Sequence, residues 1–455
     1  MKYTLFIFRR DLRLADNLGL IYAMENHENI LPVFIFTPEQ VTSKNSFKSN
    51  NAIQFMIESL DNLDASLKNH GSKLHIFYGE NIKVLKNICK EIDVENIIFN
   101  MDYTPYARKR DEEIMQFGQD NNINVILRED YLLAPIGTFL KANGDPYTVF
   151  TPFRNNGFKY EVQKPSKKHV KNLVKKKLKE EHGYVKYEIN EDIAVHGGRD
   201  NGLKILHKTD DQTNYNEDRN SLIKNTTMLS AYIKFGNVSI REVYWRIRDI
   251  LGSANDLLSQ LFWREFYFYI AYYFPKVLEG NNYNPRYDGL KWVHNKEHFE
   301  RWCNGTTGFP VVDAGMRELN ETGYMHNRAR LITSNFMNRM LGLDWREGEK
   351  YYATQLTDYD PSVNNGNWQW IASTGVDPKP YFQRLFNPWL QSKKFDPECE
   401  YIKKWIPSLK NIPNKELHEW DKYCSKYNLT EYDYVQPVVN YKAARERSVA
   451  MYKKV

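Results

Sequence analysis

The first third of the chain alternates short apolar runs with amphipathic stretches. The apolar runs are rich in β-branched and aromatic residues and predict five buried strands, at residues 3–8, 30–36, 73–78, 96–99 and 124–127. Helical spacing predicts helices between them, clearest at 52–68 and 81–92. Because helices that join parallel strands cover both faces of a sheet, this order predicts a doubly wound, Rossmann-like α/β domain over residues 1–131. The sequence contains no G-x-G-x-x-G dinucleotide fingerprint.

The alternation stops between residues 132 and 214, which we interpret as a long connector. Its most distinctive part is the lysine-rich stretch VQKPSKKHVKNLVKKKLKEEHG, residues 162–183, of which residue 180 lies outside the residues that the structure describes. We expect one amphipathic basic helix here. Such a helix could follow the phosphates of a nucleic acid, but a solvated linker helix is the better interpretation.

From residue 215 to 455 the apolar pattern is helical almost throughout, with breakers such as Gly280-Asn281-Asn282 between segments. This region therefore predicts an all-α domain. The chain as a whole is α/β plus all-α. The predicted helices of this domain cover residues 240–251, 257–274, 296–303, 311–319, 328–340 and 346–356.

Composition excludes several classes of protein. No apolar run reaches the roughly 18 residues of a membrane-spanning helix, and the charged N-terminus is unlike a signal peptide. The four cysteines have no metal-like spacing, so we expect no metal and an intracellular, reducing compartment, either cytoplasm or nucleus. We also expect a monomer. Aromatic residues make up 14% of the chain, which fits either thick cores or stacking platforms for bases or a planar cofactor.

Charged residues occur inside apolar segments of the helical region. LFWREFYFYI (261–270), GYMHNRARL (323–331) and LTDYDPSVNNGNWQW (356–370) are three such segments. Because an unpaired buried ion is costly, these charges predict buried pairs, and Arg330 with Asp358 is the pair that we expect.

These segments resemble the photolyase/cryptochrome family of flavoproteins that use blue light. The resemblance runs nearly from end to end, and it is closest to the DNA photolyases that split cyclobutane pyrimidine dimers. It implies FAD in the helical domain and light-driven electron transfer from reduced FAD to a lesion flipped out of DNA. The motifs that carry it are FRRDLRLADN, TTMLS, WREF, TGFPVVDAGMREL, TGYMHNR, LDWREGE, NNGNWQWIASTG and RLFNPWLQSKKFDP.

The resemblance implies which residues hold the flavin. The TTMLS segment would bind the pyrophosphate through amides and hydroxyls, although an ordinary helix cap would have the same sequence. Asn364 would face the flavin N5, where a neutral amide favours the reduced, anionic flavin. The cofactor-binding positions so implied are Tyr215, Thr226, Thr227, Leu229, Ser230, Arg264, Asn327, Arg330, Asp358, Asp360 and Asn364.

Three tryptophans match the family's electron relay from flavin to surface: Trp368, Trp345 and Trp292. Aromatic rings at intervals would let light refill the flavin with electrons. Apart from the resemblance, each of the three would be interpreted as an ordinary core tryptophan.

The resemblance also implies a site for damaged DNA. Trp370 and Trp263 would stack against the flipped lesion, and stacking stabilises by about 1–3 kcal/mol per base. Arg328 and Arg384 would grip flanking phosphates. The remaining positions implied to contact substrate are Arg219, Gln260 and Leu331.

The sequence departs from the pattern of the dimer-splitting enzymes at several positions. Gln260 stands where they carry Glu, as in six-four photolyases, and Leu331 stands where they carry Met. Six-four chemistry uses a histidine pair, and the corresponding Asn327 and Leu331 cannot act as general acids. The cyclobutane-dimer interpretation is therefore favoured over the six-four one. FQRLF also carries one extra residue beside Arg384, which weakens that transfer.

A photoreceptor cryptochrome without repair activity is the alternative from a different class. Such proteins often carry a long C-terminal tail, whereas this chain stops at Val455, and Asn364 matches repair enzymes better than plant cryptochromes. An antenna chromophore is expected near MDYTPYARKRD (101–111). Ala107 replaces the glutamate that holds folate in relatives, so a deazaflavin or no antenna is favoured over folate, without an assignment.

Overall fold

The computed structural model describes residues 1–179, 181–224, 226–253, 255–377 and 379–455. Five parallel strands form one sheet in the order β3-β2-β1-β4-β5, and all five were predicted from the sequence. The strands are β1 (Lys2–Phe8), β2 (Ile30–Phe36), β3 (His75–Tyr78), β4 (Asp93–Asn100) and β5 (Asn124–Arg128).

Helices cover both faces of this sheet, as the sequence predicts. Alternate residues of β1 point to opposite faces: Phe6 and Phe8 join the core with α1 and α3, whereas Leu5 and Ile7 join the core with α4 and α5. The helices of this part are α1 (Leu18–Asn26), α2 (Pro38–Val41), α3 (Asn50–Asn69), α4 (Asn81–Glu91) and α5 (Pro105–Asp120).

Among its described residues, the connector contains two α-helices, α6 (Phe150–Gly157) and α7 (Arg199–His207), and a 3₁₀ helix, Lys208–Gln212. The predicted basic helix is wrong: residues 162–179 are not helical and have no regular secondary structure apart from an isolated bridge between Leu173 and Ile30. Val174 N donates to Ile30 O at 2.9 Å, and Leu178 is buried against the sheet core. Pairing with the start of β2 thus decides the conformation of this segment, and most of its lysines are exposed.

The last part of the chain is helical, as predicted. The predicted helix at 328–340 divides into an α-helix and a π-helical turn, Phe336–Met340. Its α-helices are α8 (Tyr215–Asp218), α9 (Ser230–Lys234), α10 (Ile240–Leu251), α11 (Asp256–Tyr273), α12 (Lys296–Cys303), α13 (Pro310–Thr322), α14 (Asn327–Asn335), α15 (Trp345–Gln355), α16 (Pro361–Ala372), α17 (Pro388–Phe395), α18 (Glu400–Trp405), α19 (Asn414–Leu417), α20 (Trp420–Tyr423) and α21 (Tyr441–Tyr452). The domain limits 1–131, 132–214 and 215–455 stay predictions.

A buried network of charges joins the α/β part to the helical part. Arg241 of α10 donates to Asp16 Oδ2 at 3.0 Å and to Asp130 Oδ1 at 2.7 Å, and Arg13 donates to Asp130 Oδ2 at 2.6 Å. The four side chains are at most 3% exposed. Because each charge has a partner of opposite sign, the network is tolerated in the interior and fixes the two parts together.

Among the described residues, no helix combines the length and apolar character needed to cross a bilayer. The four cysteines are free thiols, three of them buried. Within the same residues, no group of three or more His, Cys, Asp or Glu side chains could hold a metal ion.

Candidate functional site

A cavity of about 560 Å³ opens into the helical part between α9, α10, α11, α14 and α16. Its size is that of a site for a large cofactor or ligand. All eleven predicted cofactor-binding residues line it, although they come from segments far apart in the sequence. They are Tyr215, Thr226, Thr227, Leu229, Ser230, Arg264, Asn327, Arg330, Asp358, Asp360 and Asn364.

The ion pair predicted between Arg330 and Asp358 is confirmed. Arg330 Nη1 and Nη2 donate to the two carboxylate oxygens at 3.1 and 2.9 Å, and Arg330 Nε donates to Met325 O at 2.8 Å. Burial alone would raise the pKa of Asp358, but the charge and hydrogen bonds of Arg330 outweigh burial and lower it. The cavity wall therefore carries a fixed carboxylate at neutral pH.

Asp360 begins α16 and ties it to the α/β part. Its Oδ1 accepts from Ser362 N at 3.0 Å and Val363 N at 3.2 Å, which is a helix N-cap. Its Oδ2 accepts from Arg10, the second arginine of the FRRDLR motif. The helix that carries Asn364, Trp368 and Trp370 is thus anchored by a residue of the α/β part.

The side chain of Asn364 is oriented by the neighbouring helix. Its Nδ2 donates to Glu349 O of α15 at 3.1 Å. With Nδ2 so committed, the amide offers the acceptor Oδ1 to a bound group.

The Glu349 carboxyl is 7% exposed and is hydrogen-bonded by the Asn365 side chain. Burial raises its pKa to about 7.

Glycine in the NNGNWQW motif allows a close helix contact. A Cβ at Gly366 would lie 2.1 Å from Cδ1 of Tyr267 on α11. A second contact of this kind occurs at Gly348 of α15, where a Cβ would lie 2.2 Å from Cη2 of Trp368. The two glycines let α16 lie directly against α11 and α15, so the polar residues and indoles of one helix reach the same cavity.

Two indoles in the cavity wall each have one face covered by protein. Phe150 stacks on Trp263 with ring centroids 3.6 Å apart and an interplanar angle of 10°. The Arg384 guanidinium carbon lies 4.0 Å from the ring centroid of Trp370. Four further residues predicted to contact substrate line the same cavity: Arg219, Gln260, Arg328 and Leu331.

The predicted phosphate contact of Arg384 does not fit the structure. The residue is 2% exposed and is not among the residues that line the cavity. Its Nη1 donates to Trp370 O, and its Nη2 donates to Asp377 O at 2.6 Å. The guanidinium is therefore used inside the protein rather than presented to a DNA backbone.

Of the three predicted relay tryptophans, only Trp368 lines the cavity. Its ring meets Tyr352 edge-on at 4.9 Å between centroids. Trp345, at the start of α15, is fully buried and donates from Nε1 to Asn282 Oδ1 at 3.1 Å. Trp292 is half-buried, with its ring edge-on to Tyr452 at 6.4 Å. Exposure thus increases from Trp368 and Trp345 to Trp292, but their role as a relay stays a prediction.

Two residues in the cavity wall, Lys234 and Tyr359, were missed by the sequence analysis. Burial, reinforced by the nearby charge of Arg10, lowers the pKa of Lys234 to about 7. The sequence offered one signal, a lysine directly after TTMLSAYI in an otherwise apolar run. Lys234 and Tyr359 also line a second cavity of about 270 Å³, above the carboxyl ends of β1 and β2. Arg9, Arg10 and Ala107 line this second cavity as well.

Comparison with known proteins connects both parts of the chain to one family. A family model described as DNA photolyase matches residues 4–169, and one described as the FAD binding domain of DNA photolyase matches residues 257–454. The deoxyribodipyrimidine photo-lyase of Escherichia coli is 33% identical, over 98% of this chain and 97% of the relative.

This chain belongs to the DNA photolyase family.

Solved structures of the family share the fold of this photolyase chain. An archaeal photolyase from Sulfolobus tokodaii with two FAD molecules is 39% identical, with a TM-score of 0.89 and complete coverage of both chains. A cryptochrome from Synechocystis is 27% identical, with a TM-score of 0.89 and 99% coverage of each chain. The resemblance and the fold class inferred from the sequence are thereby confirmed, including the FAD-binding character of the helical domain.

The residues of the 560 Å³ cavity of this photolyase fit FAD. Hydroxyls of Thr226, Thr227 and Ser230 suit phosphate oxygens, whereas Asp358 and the Asn364 amide suit the polar edge of a planar ring. In the described residues, Nε of Arg328 and Nε1 of Trp370 are buried without a hydrogen-bond partner. Unsatisfied buried donors of this kind are expected where a ligand completes the site.

Proposed function

We propose that this photolyase splits cyclobutane pyrimidine dimers in DNA with the energy of light, as a deoxyribodipyrimidine photo-lyase, a carbon–carbon lyase. The observation that carries the proposal is the pairing of Trp263 and Trp370 in the wall of the predicted FAD cavity. Each indole is held from behind, and each can offer its other face to a base. Stacking platforms beside a cofactor site suit a nucleotide that has left the duplex.

Reduced FAD, when bound, supplies the photochemistry, because it absorbs light and gives up one electron. The residues of the chain bind it and set its surroundings. Thr226, Thr227 and Ser230 would hold phosphate oxygens, and Asp358, fixed by Arg330, would accept a hydrogen bond from the ring system. Asn364, whose Nδ2 is committed to Glu349 O, presents an acceptor and no acidic proton near the ring.

Gln260 and Trp263 lie one turn apart on α11, and both line the cavity. Gln260 Nε2 donates to Asp256 O at 3.2 Å, and this amide can turn to donate to a pyrimidine carbonyl. No histidine is among the residues that line the cavity, within the described part of the chain. This absence disfavours six-four repair, which needs a general acid.

DNA would approach the cavity mouth at Arg219 and Arg328. The Arg219 side chain is 36% exposed, and Arg328 Nη2 donates to Asn220 Oδ1 at 2.5 Å. Lys393 and Lys394, both exposed on α17, add positive charge. UV-damaged DNA is the partner that this arrangement favours, with affinity that falls as salt rises.

A relay from Trp368 through Trp345 to Trp292 would carry electrons from the surface to the flavin. It is supported by the greater exposure of Trp292 than of Trp368 and Trp345, and by the contact of Trp368 with Gly348 in the same helix as Trp345. The second cavity would hold an antenna chromophore. Ala107 in its wall disfavours folate, and the second FAD of the Sulfolobus tokodaii relative favours a flavin-type ring. We further infer a reducing compartment, which the four free thiols support, and we keep the prediction of a monomer.

The test is illumination of the reduced protein with an oligonucleotide that contains one thymine dimer. Repair restores thymine absorbance, which is expected here. A parallel substrate with a six-four lesion should stay unchanged. Repair of the six-four lesion alone would support the six-four alternative favoured by Gln260. Repair of neither, with FAD bound, would support the photoreceptor alternative favoured by the likeness to the Synechocystis cryptochrome.

A further inference from the structure

Arg384 ends a short 3₁₀ segment, Tyr381–Arg384, behind the cavity wall. Its backbone is held by Asn335, whose Nδ2 donates to Arg384 O at 2.8 Å and whose Oδ1 accepts from Phe386 N at 3.0 Å. Arg384 is thus fixed from both its backbone and its side chain. Burial lowers the pKa of its guanidinium to about 10, so the group stays charged at neutral pH.

The guanidinium touches Trp370 in two ways. Its carbon lies 4.0 Å from the indole centroid, and Nη1 donates to the carbonyl of the same residue. Nη2 donates to Asp377 O, beyond the end of α16. One side chain therefore fixes the ring of Trp370, its backbone and the segment that follows.

The structure assigns Arg384 as a positioning residue for lesion recognition that acts through Trp370 and does not contact DNA. The inference rests on the proposed function. It assigns Arg384 a role different from the phosphate contact that the sequence suggested.

Burial and geometry separate Arg384 from the arginines at the cavity mouth. Arg219 has 36% of its side chain exposed, whereas Arg384 is 2% exposed with two donors on backbone carbonyls. A phosphate could reach Arg384 only after these bonds break and the charge is uncovered. Such a rearrangement is unfavourable, because buried donors that lose their partners cost free energy.

A fixed indole should bind a base more tightly than a mobile one. Ordering a side chain on binding costs free energy, and a platform held in advance avoids that cost. A cation over the face of tryptophan is the strongest pairing of this type, particularly when the pair is out of water. Phe150 holds Trp263 in a comparable way, without charge. The site thus has two platforms, one backed by an apolar ring and one by a cation.

The experiment compares binding to a duplex with one thymine dimer and to the same duplex undamaged, over a range of salt concentrations. Arg384→Met should weaken dimer binding about tenfold, leave undamaged binding unchanged, and keep the slope of log affinity against log salt. The reference variant is Arg328→Met, at a residue that we place on phosphate. It should weaken binding to both the damaged and the undamaged duplex and reduce the slope of log affinity against log salt by about one.

A double-mutant cycle tests whether the effect passes through the indole. In a Trp370→Ala background, Arg384→Met should cause little further loss of dimer affinity. Independent, additive losses would overturn the inference. A reduced salt slope for Arg384→Met, with both DNAs weakened equally, would also overturn it and restore the phosphate contact.

Arg384→Lys covers the case in which the methionine variant does not fold. Lysine keeps a cation near the indole but cannot bond two carbonyls at once. We expect dimer affinity between that of the wild type and that of Trp370→Ala, with an unchanged salt slope. Flavin absorbance and thermal unfolding verify that each variant is folded. If the wild type itself does not distinguish damaged from undamaged DNA, the proposed function fails, whatever the variants show.

Discussion

At the scale of single residues, the pair of Arg330 and Asp358 shows how a buried charge is made permanent. Two hydrogen bonds hold the carboxylate, and its pKa is lowered despite burial. The pair could be predicted from the sequence, because an arginine and an aspartate in apolar segments need partners of opposite charge. A substitution at Asp358 therefore tests directly whether this cavity holds FAD.

Asp358→Ala should abolish FAD retention. The substitution leaves Arg330 buried without its partner, and breaking a buried pair costs about 3–5 kcal/mol, or less where one side chain is partly exposed. The visible spectrum of the purified variant should lack flavin absorbance. Trp370→Ala is the control, since it should keep the flavin while losing dimer affinity. Equal flavin content in Asp358→Ala and wild type would contradict the assignment.

Arg384 shows why the rest of the site could not be predicted residue by residue. The sequence offered an arginine near a motif, displaced by one residue, and the resemblance suggested phosphate. Whether its side chain points outward or folds under Trp370 depends on the path of residues 379–386, which no local pattern specifies. The same holds for Lys234, whose place between two cavities follows from how two parts of the chain meet.

At the scale of elements, the contact between α15 and α16 depends on Gly348. Alanine there would favour the helix itself by about 1 kcal/mol. Its Cβ would, however, meet the Trp368 ring and lie 2.9 Å from Met337 Sδ. Gly348→Ala should therefore lower the free energy of unfolding by about 1–3 kcal/mol, measured by chemical denaturation.

The control for this substitution is Lys350→Ala, two residues later on the exposed side of α15. It should change the free energy of unfolding by less than about 0.5 kcal/mol. If the two variants are equally stable, the close contact of α16 with α15 does not need glycine.

Glu349 makes the same pair of helices sensitive to pH. Its pKa is raised from 4.5 to about 7 by burial, so between these values the folded protein binds more protons than the unfolded chain. The free energy of unfolding should therefore fall as pH rises from about 4.5 to about 7, by up to about 3 kcal/mol from this group, and then level off.

Glu349→Gln should remove this part of the pH dependence, because glutamine cannot ionise and can keep a hydrogen bond to Asn365. Denaturation curves of both proteins between pH 5 and 8 provide the measurement, and the difference between them isolates Glu349 from other groups. Parallel curves at all pH values would show that the carboxyl titrates alike in both states.

Most elements could be predicted from the sequence, since strands such as β1 and helices such as α10 carry clear periodicity. The segment at 162–179 could not. Its lysines and leucines suit a helix, but Val174 and Asn172 instead bond to the backbone of Ile30. A partner more than a hundred residues away decided its conformation, and local propensity does not include such a contact.

At the scale of the whole molecule, the two halves are joined by charge as well as by apolar contacts. Arg241→Met would leave Asp16 and Asp130 short of a buried partner. We expect a loss of about 3–5 kcal/mol in the free energy of unfolding. Chemical denaturation followed by circular dichroism would measure it.

Arg246→Met is the matched control, five residues later on the same helix. Its partner Asp210 is exposed, with 33% and 59% of the two side chains accessible, and such pairs contribute at most about 1 kcal/mol. Similar losses in the two variants would show that the buried network does not hold the halves together.

The sequence predicts that the chain has these two halves, but it does not predict how they pack against each other. The sequence indicated a parallel sheet, a connector and a helical region. It did not indicate that Arg10 from the end of β1 would reach Asp360 at the start of α16. That pairing joins residues 350 positions apart, and only the folded arrangement of both parts brings them together.

The buried network has a consequence for hybrid enzymes. If the α/β half of another photolyase is joined to the helical half of this chain, Arg241 stays in the hybrid, whereas its two partners, Asp16 and Asp130, are lost with the original α/β half. Hybrids whose new α/β half has aspartate at the positions of both Asp16 and Asp130 should assemble. Hybrids with aspartate at only one of these positions should misassemble during expression. A few buried charges, rather than overall sequence similarity, therefore decide whether two halves can assemble.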